Sequence, residues 1–188
     1  LHHVPVYMDG ARLFNAALAL GVQASRLAGC VDSLMFCLSK GLGAPVGSML
    51  AGTRQFIAEA RKKRKIMGGG MRQAGILAAA GRVALSRMID RLAEDHEKAR
   101  LLAESFQRTG LFEIRPRPVK VNMFFVRFVP QRLKGRETSL MEELAAGGVL
   151  TYPPEDGWLR FVTHHDVSFE DIQTACSLVE RAAVHFGA

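Results

Sequence analysis

The order of elements in the sequence predicts an α/β fold followed by a small α+β lobe. Two apolar runs, Val4–Met8 and Leu34–Leu38, flank a helical pattern, which is the order of a strand–helix–strand unit. Each run ends in glycine-rich punctuation, Asp9-Gly10-Ala11-Arg12 after the first and Lys40-Gly41-Leu42-Gly43 after the second. At Gly110 the texture changes to short runs of strand formers between turns. With 188 residues, 48% of them hydrophobic, the chain can bury one core and a second, smaller one. The domains are therefore expected at 1–109 and 110–188.

In chain order, Val4–Met8 reads as a short strand and Leu13–Leu20 as a helix closed by Gly21. Residues 22–32 form a polar connection with a short helical turn. Leu34–Leu38 reads as a buried strand, and Gly41, Gly43, Pro45 and Gly47 force an irregular turn before a second apolar run, Ser48–Ala51. Thr53 opens a helix that reaches about Met67, with Arg64 and Lys65 in the last turn opposite the negative end of the dipole and Gly68-Gly69-Gly70 behind it. An apolar helix from Ala74 to about Ile89 and another from Asp90 to about Thr109 follow. His96, among Asp95, Glu97 and Lys98, reads as a solvated helix residue.

Beyond Gly110 the sequence predicts a strand followed by a turn over 112–118, strands at 121–129, 149–151 and 158–162, and a helix over 138–146. A basic loop spans 130–136, and Ser168-Phe169-Glu170-Asp171 is a capping box opening the last helix.

The net charge of +7 admits an anionic ligand as readily as nucleic acid. The basic residues are not interleaved with aromatics, and the run Arg61–Lys65 covers every helix face, which suits a solvated helix end. No nucleic-acid, membrane or metal partner is expected. No apolar stretch approaches membrane-spanning length. Cys30, Cys37 and Cys176 are odd in number and lack metal-like spacing, so reduced, buried thiols in a cytoplasmic protein are expected.

Several residues carry candidate chemistry. Lys40 ends a strand against glycines; desolvated there, its free amine could attack a carbonyl and form a Schiff base, whereas at a loop tip it is only a surface lysine. Asp9 follows a strand, where open α/β sheets place ligands, yet the same position suits a helix cap. Arg160 interrupts an apolar strand, either facing water or aimed at a carboxylate. Arg72, beside three glycines, is an anion contact or a polar helix start.

Asp9-Gly10-Ala11-Arg12, Ser39-Lys40-Gly41-Leu42-Gly43-Ala44-Pro45-Val46-Gly47, Gly68-Gly69-Gly70-Met71-Arg72-Gln73 and Leu159-Arg160-Phe161-Val162-Thr163-His164 together resemble the low-specificity L-threonine aldolases. The resemblance covers nearly the whole sequence. It implies a fold type I, pyridoxal-phosphate-dependent transferase-like fold, with 1–109 the later part of the cofactor-binding domain and 110–188 the small domain. It also implies a homo-oligomer, dimer or tetramer. Lys40 would then form the Schiff base and Asp9 would pair with the pyridine nitrogen. Arg12 would lie near the ring oxygen or the substrate carboxylate, Arg72 would help with phosphate or a subunit contact, and Arg160 would hold the α-carboxylate. The reaction implied is retro-aldol cleavage of L-threonine or L-allo-threonine to glycine and acetaldehyde.

In that family the phosphate-binding turn, the ring-stacking histidine and the base histidine precede the aspartate. His2 and His3 are too close to the strand start to fill those roles. The sequence is therefore expected to be part of a longer chain and to be inactive by itself. A related lyase acting by β-elimination on another amino acid would share Asp9 and Lys40, and a non-catalytic fragment or basic binding module is the remaining alternative.

Overall fold

The computed structural model describes residues 4–129 and 131–187. His2, His3 and the first residue of the predicted basic loop, Pro130, lie outside the described residues. The chain divides into two compact units, one ending at Ala93 and the other beginning at Glu94.

The first unit holds β1 (Tyr7–Asp9), α1 (Leu13–Leu20), α2 (Ala24–Ala28), β2 (Ser33–Cys37), β3 (Ser48–Gly52), α3 (Arg54–Ile66) and α4 (Gly75–Arg87). Its sheet has the order β1-β2-β3, with β1 parallel to β2 and β3 antiparallel to it. A parallel neighbour demands a crossover, which α1 and α2 supply. Asp32 fastens the start of this pair, its Oδ2 accepting the Val6 amide at 2.7 Å. Gly21 closes α1 at φ 65, a left-handed conformation that glycine adopts without a Cβ penalty. Thr53 caps α3, its hydroxyl accepting the Phe56 amide at 3.2 Å.

The core of this unit is small: Leu38, Leu42, Ala44, Ala84 and Leu92, with Phe14, Leu18, Phe36, Met88 and Ile89 packed on it. The expected burial of the Leu34–Leu38 strand is therefore corrected. Within β2 only Leu34 is buried, and every residue of β3 is exposed. Cys37 is accordingly half-buried and Cys30 exposed, not buried as expected; all three thiols are free. The Arg61–Lys65 run lies solvated along α3, with Lys62 paired to Glu59 at 2.7 Å.

The second unit contains α5 (Leu92–Arg108) from Glu94 onward, β4 (Phe112–Arg115), β5 (Met123–Phe128), a 3-10 turn at Gln131–Leu133, α6 (Glu137–Ala146), β6 (Leu159–Val162) and α7 (Phe169–Gly187). Its sheet is fully antiparallel in the order β4-β5-β6. Alternation along β5 sends Phe124, Val126 and Phe128 into the core and leaves Phe125 and Arg127 on the other face. Helix α5 adds Ala99, Leu102, Ala103 and Phe106 to this same core. Its packing is why the division falls before α5 instead of near Gly110. At the start of α7, Ser168 and Asp171 form the expected capping box, Ser168 donating from its amide and hydroxyl at 2.8 Å and accepting the Asp171 amide at 3.0 Å.

Two further expectations are corrected in this unit. Residues 149–151 form no strand: the sheet ends at β6 as an unpaired edge, and Leu150 is left exposed in a loop. His96 is half-buried, and its pKa is lowered by burial against the opposing pull of Asp95. Around it, Asp95 and Lys98 are buried as an ion pair 3.9 Å apart, which the charged local sequence did not signal. No helix among the described residues is long and apolar enough to cross a membrane.

Candidate active site

The parallel pairing of β1 with β2 brings the Asp9 and Lys40 segments to one edge of the sheet. Asp9 is the last residue of β1 and pairs in register with Met35, so both strands run out at the same end. Main-chain bonds then tie the two following turns together: the Gly10 amide donates to Met35 O at 2.9 Å, and the Cys37 amide to Ala11 O at 3.4 Å. Gly10 has a steric reason to be glycine, since a Cβ there would stand 2.7 Å from Met35 O. Carboxyl ends of adjacent parallel strands are where α/β sheets leave room for ligands.

Asp9 does not cap a helix. Its Oδ1 accepts the Ala11 amide at 3.1 Å, a local Asx-type bond, while α1 begins later with Arg12 at the cap position and no side-chain cap bond. The carboxylate is exposed at the sheet edge with its second oxygen available. Arg12 is half-buried beside it in sequence.

Lys40 departs from the expected desolvation: its side chain is exposed. The physical reason is the turn that carries it. Leu38, Leu42 and Ala44 all point into the core, so the residue between them is turned outward. The turn is held by the Leu38 amide donating to Gly47 O at 2.9 Å, Ala44 to Leu38 O at 3.0 Å, and Gly43 to Lys40 O at 2.8 Å. Gly43 needs its φ of 72 for that closure. Gly41 is buried so tightly that a Cβ would meet Leu92 Cδ2 at 2.7 Å and the Asn15 amide at 3.6 Å. The amine is thus exposed at its tip, and the turn at its root is hydrogen-bonded in place.

Asn15 is a site residue that the sequence did not mark. It is a buried amide on α1, set against the Lys40 turn. The available signal was one polar residue inside an otherwise apolar helix face. Arg72 is exposed just ahead of α4, next to Gln73, which holds φ 52. Arg160 belongs to the second unit. It lies exposed on the edge strand β6, its guanidinium 4.9 Å from the Tyr152 ring centre.

An exposed primary amine on a fixed turn, a carboxylate on the adjoining strand end and a guanidinium nearby in sequence form a donor set that fits an aromatic aldehyde with a basic ring nitrogen.

Comparison with known proteins points the same way. The family model described as beta-eliminating lyase matches residues 1–129. Low-specificity L-threonine aldolase 1 of Arabidopsis thaliana is 41% identical over 182 residues, covering 96% of this chain and 50% of the relative. The low specificity L-threonine aldolase of Escherichia coli K12 is 42% identical over 170 residues, 90% of this chain and 48% of the relative. The chain thus spans about half the length of the curated relatives it matches. The solved threonine aldolase of Leishmania major superposes with a TM-score of 0.73 at 17% identity, over 97% of this chain and 53% of that one, a likeness of fold.

Proposed function

Because this chain belongs to the beta-eliminating lyase family, a family of pyridoxal-phosphate enzymes, we propose that its protein cleaves L-threonine or L-allo-threonine to glycine and acetaldehyde. The observation that carries the proposal is the joined pair of strand ends, with Asp9 closing β1 and Lys40 on the turn after β2, main-chain bonds holding the two segments together. When bound, pyridoxal phosphate supplies an electron sink for the pair released as the Cα–Cβ bond breaks.

This chain's residues have separable tasks. Lys40 would hold the cofactor aldehyde through its primary amine. Its exposure gives access, and the buried root of its turn keeps the amine returning to one place. Asp9 would hold the ring nitrogen with its carboxylate, a preorganised charge that favours the protonated ring. Arg12 would hold the ring oxygen or the substrate carboxylate. Arg160 would take the α-carboxylate with its planar fork, its guanidinium held over the Tyr152 ring at 4.9 Å. Arg72 contributes a charge toward the phosphate or a subunit contact. The protein is proposed to be a homo-oligomer, dimer or tetramer, and to be cytoplasmic, a compartment in which its three free thiols would stay reduced.

Borohydride treatment of the cofactor-loaded protein followed by peptide mapping should place the cofactor on Lys40. An adduct on another lysine, with Lys40→Ala still holding cofactor covalently, sinks the assignment. The family model's own description favours a second reading, β-elimination from another amino acid. Product analysis separates them: glycine with an aldehyde supports the aldolase, whereas a keto acid with ammonia supports the lyase.

A further inference from the structure

The open face of the second unit's sheet carries a row of residues that the proposed reaction uses only in part. Arg115 on β4 pairs in register with Phe125 on β5, and Phe125 with Arg160 on β6. Directly opposed residues share a face, so two guanidiniums flank one phenyl ring across the three strands, their backbones roughly 10 Å apart at about 5 Å per strand. Each also rests on an aromatic ring. Arg115 lies 3.9 Å from the Trp158 ring centre, and Arg160 4.9 Å from Tyr152. Trp158 is itself only 6% exposed, so Arg115 sits on a fixed platform. These side chains line a cavity of about 450 Å³.

A guanidinium held over an aromatic ring by this contact does not use up its N–H donors, which stay available for an anion. A third arginine marks the difference. Arg127 covers the indole of Trp158 at 4.4 Å, but its fork is taken by Glu113, 2.5 Å away. Neither Arg115 nor Arg160 forms an ion pair among the described residues. The remaining charges of the cavity, Glu155 and Asp156, belong to the turn before Trp158. They disfavour an anion bound on the turn side and keep it along the strand row.

We propose that Arg115 is a specificity-determining residue that binds a second acidic group on a substrate whose α-carboxylate is held by Arg160. The proposal rests on the reading of Arg160 given above. The class of substrate is a β-hydroxy amino acid with a carboxylate on its β side. For 3-hydroxyaspartate, breaking Cα–Cβ takes the hydroxyl proton, leaves a C=O on the β carbon and returns a proton to Cα. The products are glyoxylate and glycine, with no oxidant or reductant required.

The test uses the cofactor-loaded enzyme with succinate and propionate as unreactive competitors, and with 3-hydroxyaspartate and threonine as substrates. Succinate should bind more tightly than propionate. Arg115→Gln should cut that advantage about tenfold, the loss of a charge-assisted hydrogen bond. The ratio of kcat/KM for 3-hydroxyaspartate over threonine should fall by a similar factor, carried by KM. Arg115→Lys should recover part of the competitor preference, because charge is kept and the fork lost. Thermal melts of each variant report folding separately. A parent enzyme that binds succinate no better than propionate overturns the proposal, as does an Arg115→Gln variant with an unchanged preference. If Arg160→Lys leaves propionate binding unchanged, the Arg160 reading falls and this proposal with it; if only the Arg115 variants are silent, Arg160 stands.

Discussion

The two sheets of this chain are built on opposite terms. In β4-β5-β6 one face is sealed: Phe112, Ile114, Phe124, Val126, Phe128, Leu159 and Phe161 are buried, and Phe106 packs edge-on to Phe112 with ring centres 5.1 Å apart. In β1-β2-β3, Leu34 is the one fully buried strand residue, Tyr7 is 54% exposed and Leu50 39% exposed. The poorly buried sheet carries Asp9 and Lys40, the residues proposed to do the chemistry. Within these residues, which span about half the length of the curated relatives, the pair of turns at its carboxyl end is tied by main-chain hydrogen bonds and close glycine contacts.

The largest effect should come from Lys40→Ala, which removes the amine and should take threonine cleavage to the assay floor while circular dichroism stays that of the parent. Retained cleavage would move the chemistry elsewhere. Next is Phe106→Ala in the sealed sheet's core, expected to cost about 3–5 kcal/mol in urea denaturation. The matching Leu50→Ala on β3 should cost less than about 1 kcal/mol, because that side chain is already partly in water. Equal costs would erase the contrast between the sheets.

Asp9→Asn keeps the side-chain volume and the acceptor for the Ala11 amide but loses the charge. Turnover should fall roughly a hundredfold, with the melting temperature little changed. Near-parent turnover would make Asp9 a turn residue only. Thr53→Ala should cost about 1 kcal/mol by removing the α3 cap, read as lower helix content on mild heating.

The smallest effect concerns pH. Burial lowers the His96 pKa from 6.5, so between the folded and unfolded values the unfolded chain binds more protons. The contribution is therefore present above the unfolded value of about 6.5 and is lost as pH falls below it through the lower folded value. His96→Gln should flatten this part of the stability profile between pH 7.5 and 5.5, and an unaltered profile would put His96 in water.

Much of the architecture could be read from local pattern. The α1 helix and its Gly21 closure, the Thr53 cap and the Ser168–Asp171 box follow from side chains acting within four residues of themselves, which is the range a sequence exposes directly. The Asp9 and Lys40 motifs were visible for the same reason. The strand expected at 149–151 is absent although the β6 edge is free: pairing is a long-range contact, and local composition does not report whether it is made. Helix α5 joined the second unit because of long-range packing by Phe106 and its neighbours.

By itself the sequence determined the order of elements, the caps and turns, and which residue types could carry an amine, a carboxylate and a guanidinium. Only the tertiary structure decided that β1 and β2 run parallel and in register, so that Asp9 and Lys40 end at the same edge, and that Leu38, Leu42 and Ala44 turn Lys40 outward. It alone set Arg115, Phe125 and Arg160 in one row. Register, burial and cross-strand opposition depend on contacts between residues far apart in the chain, and these exist only once the sheets have formed.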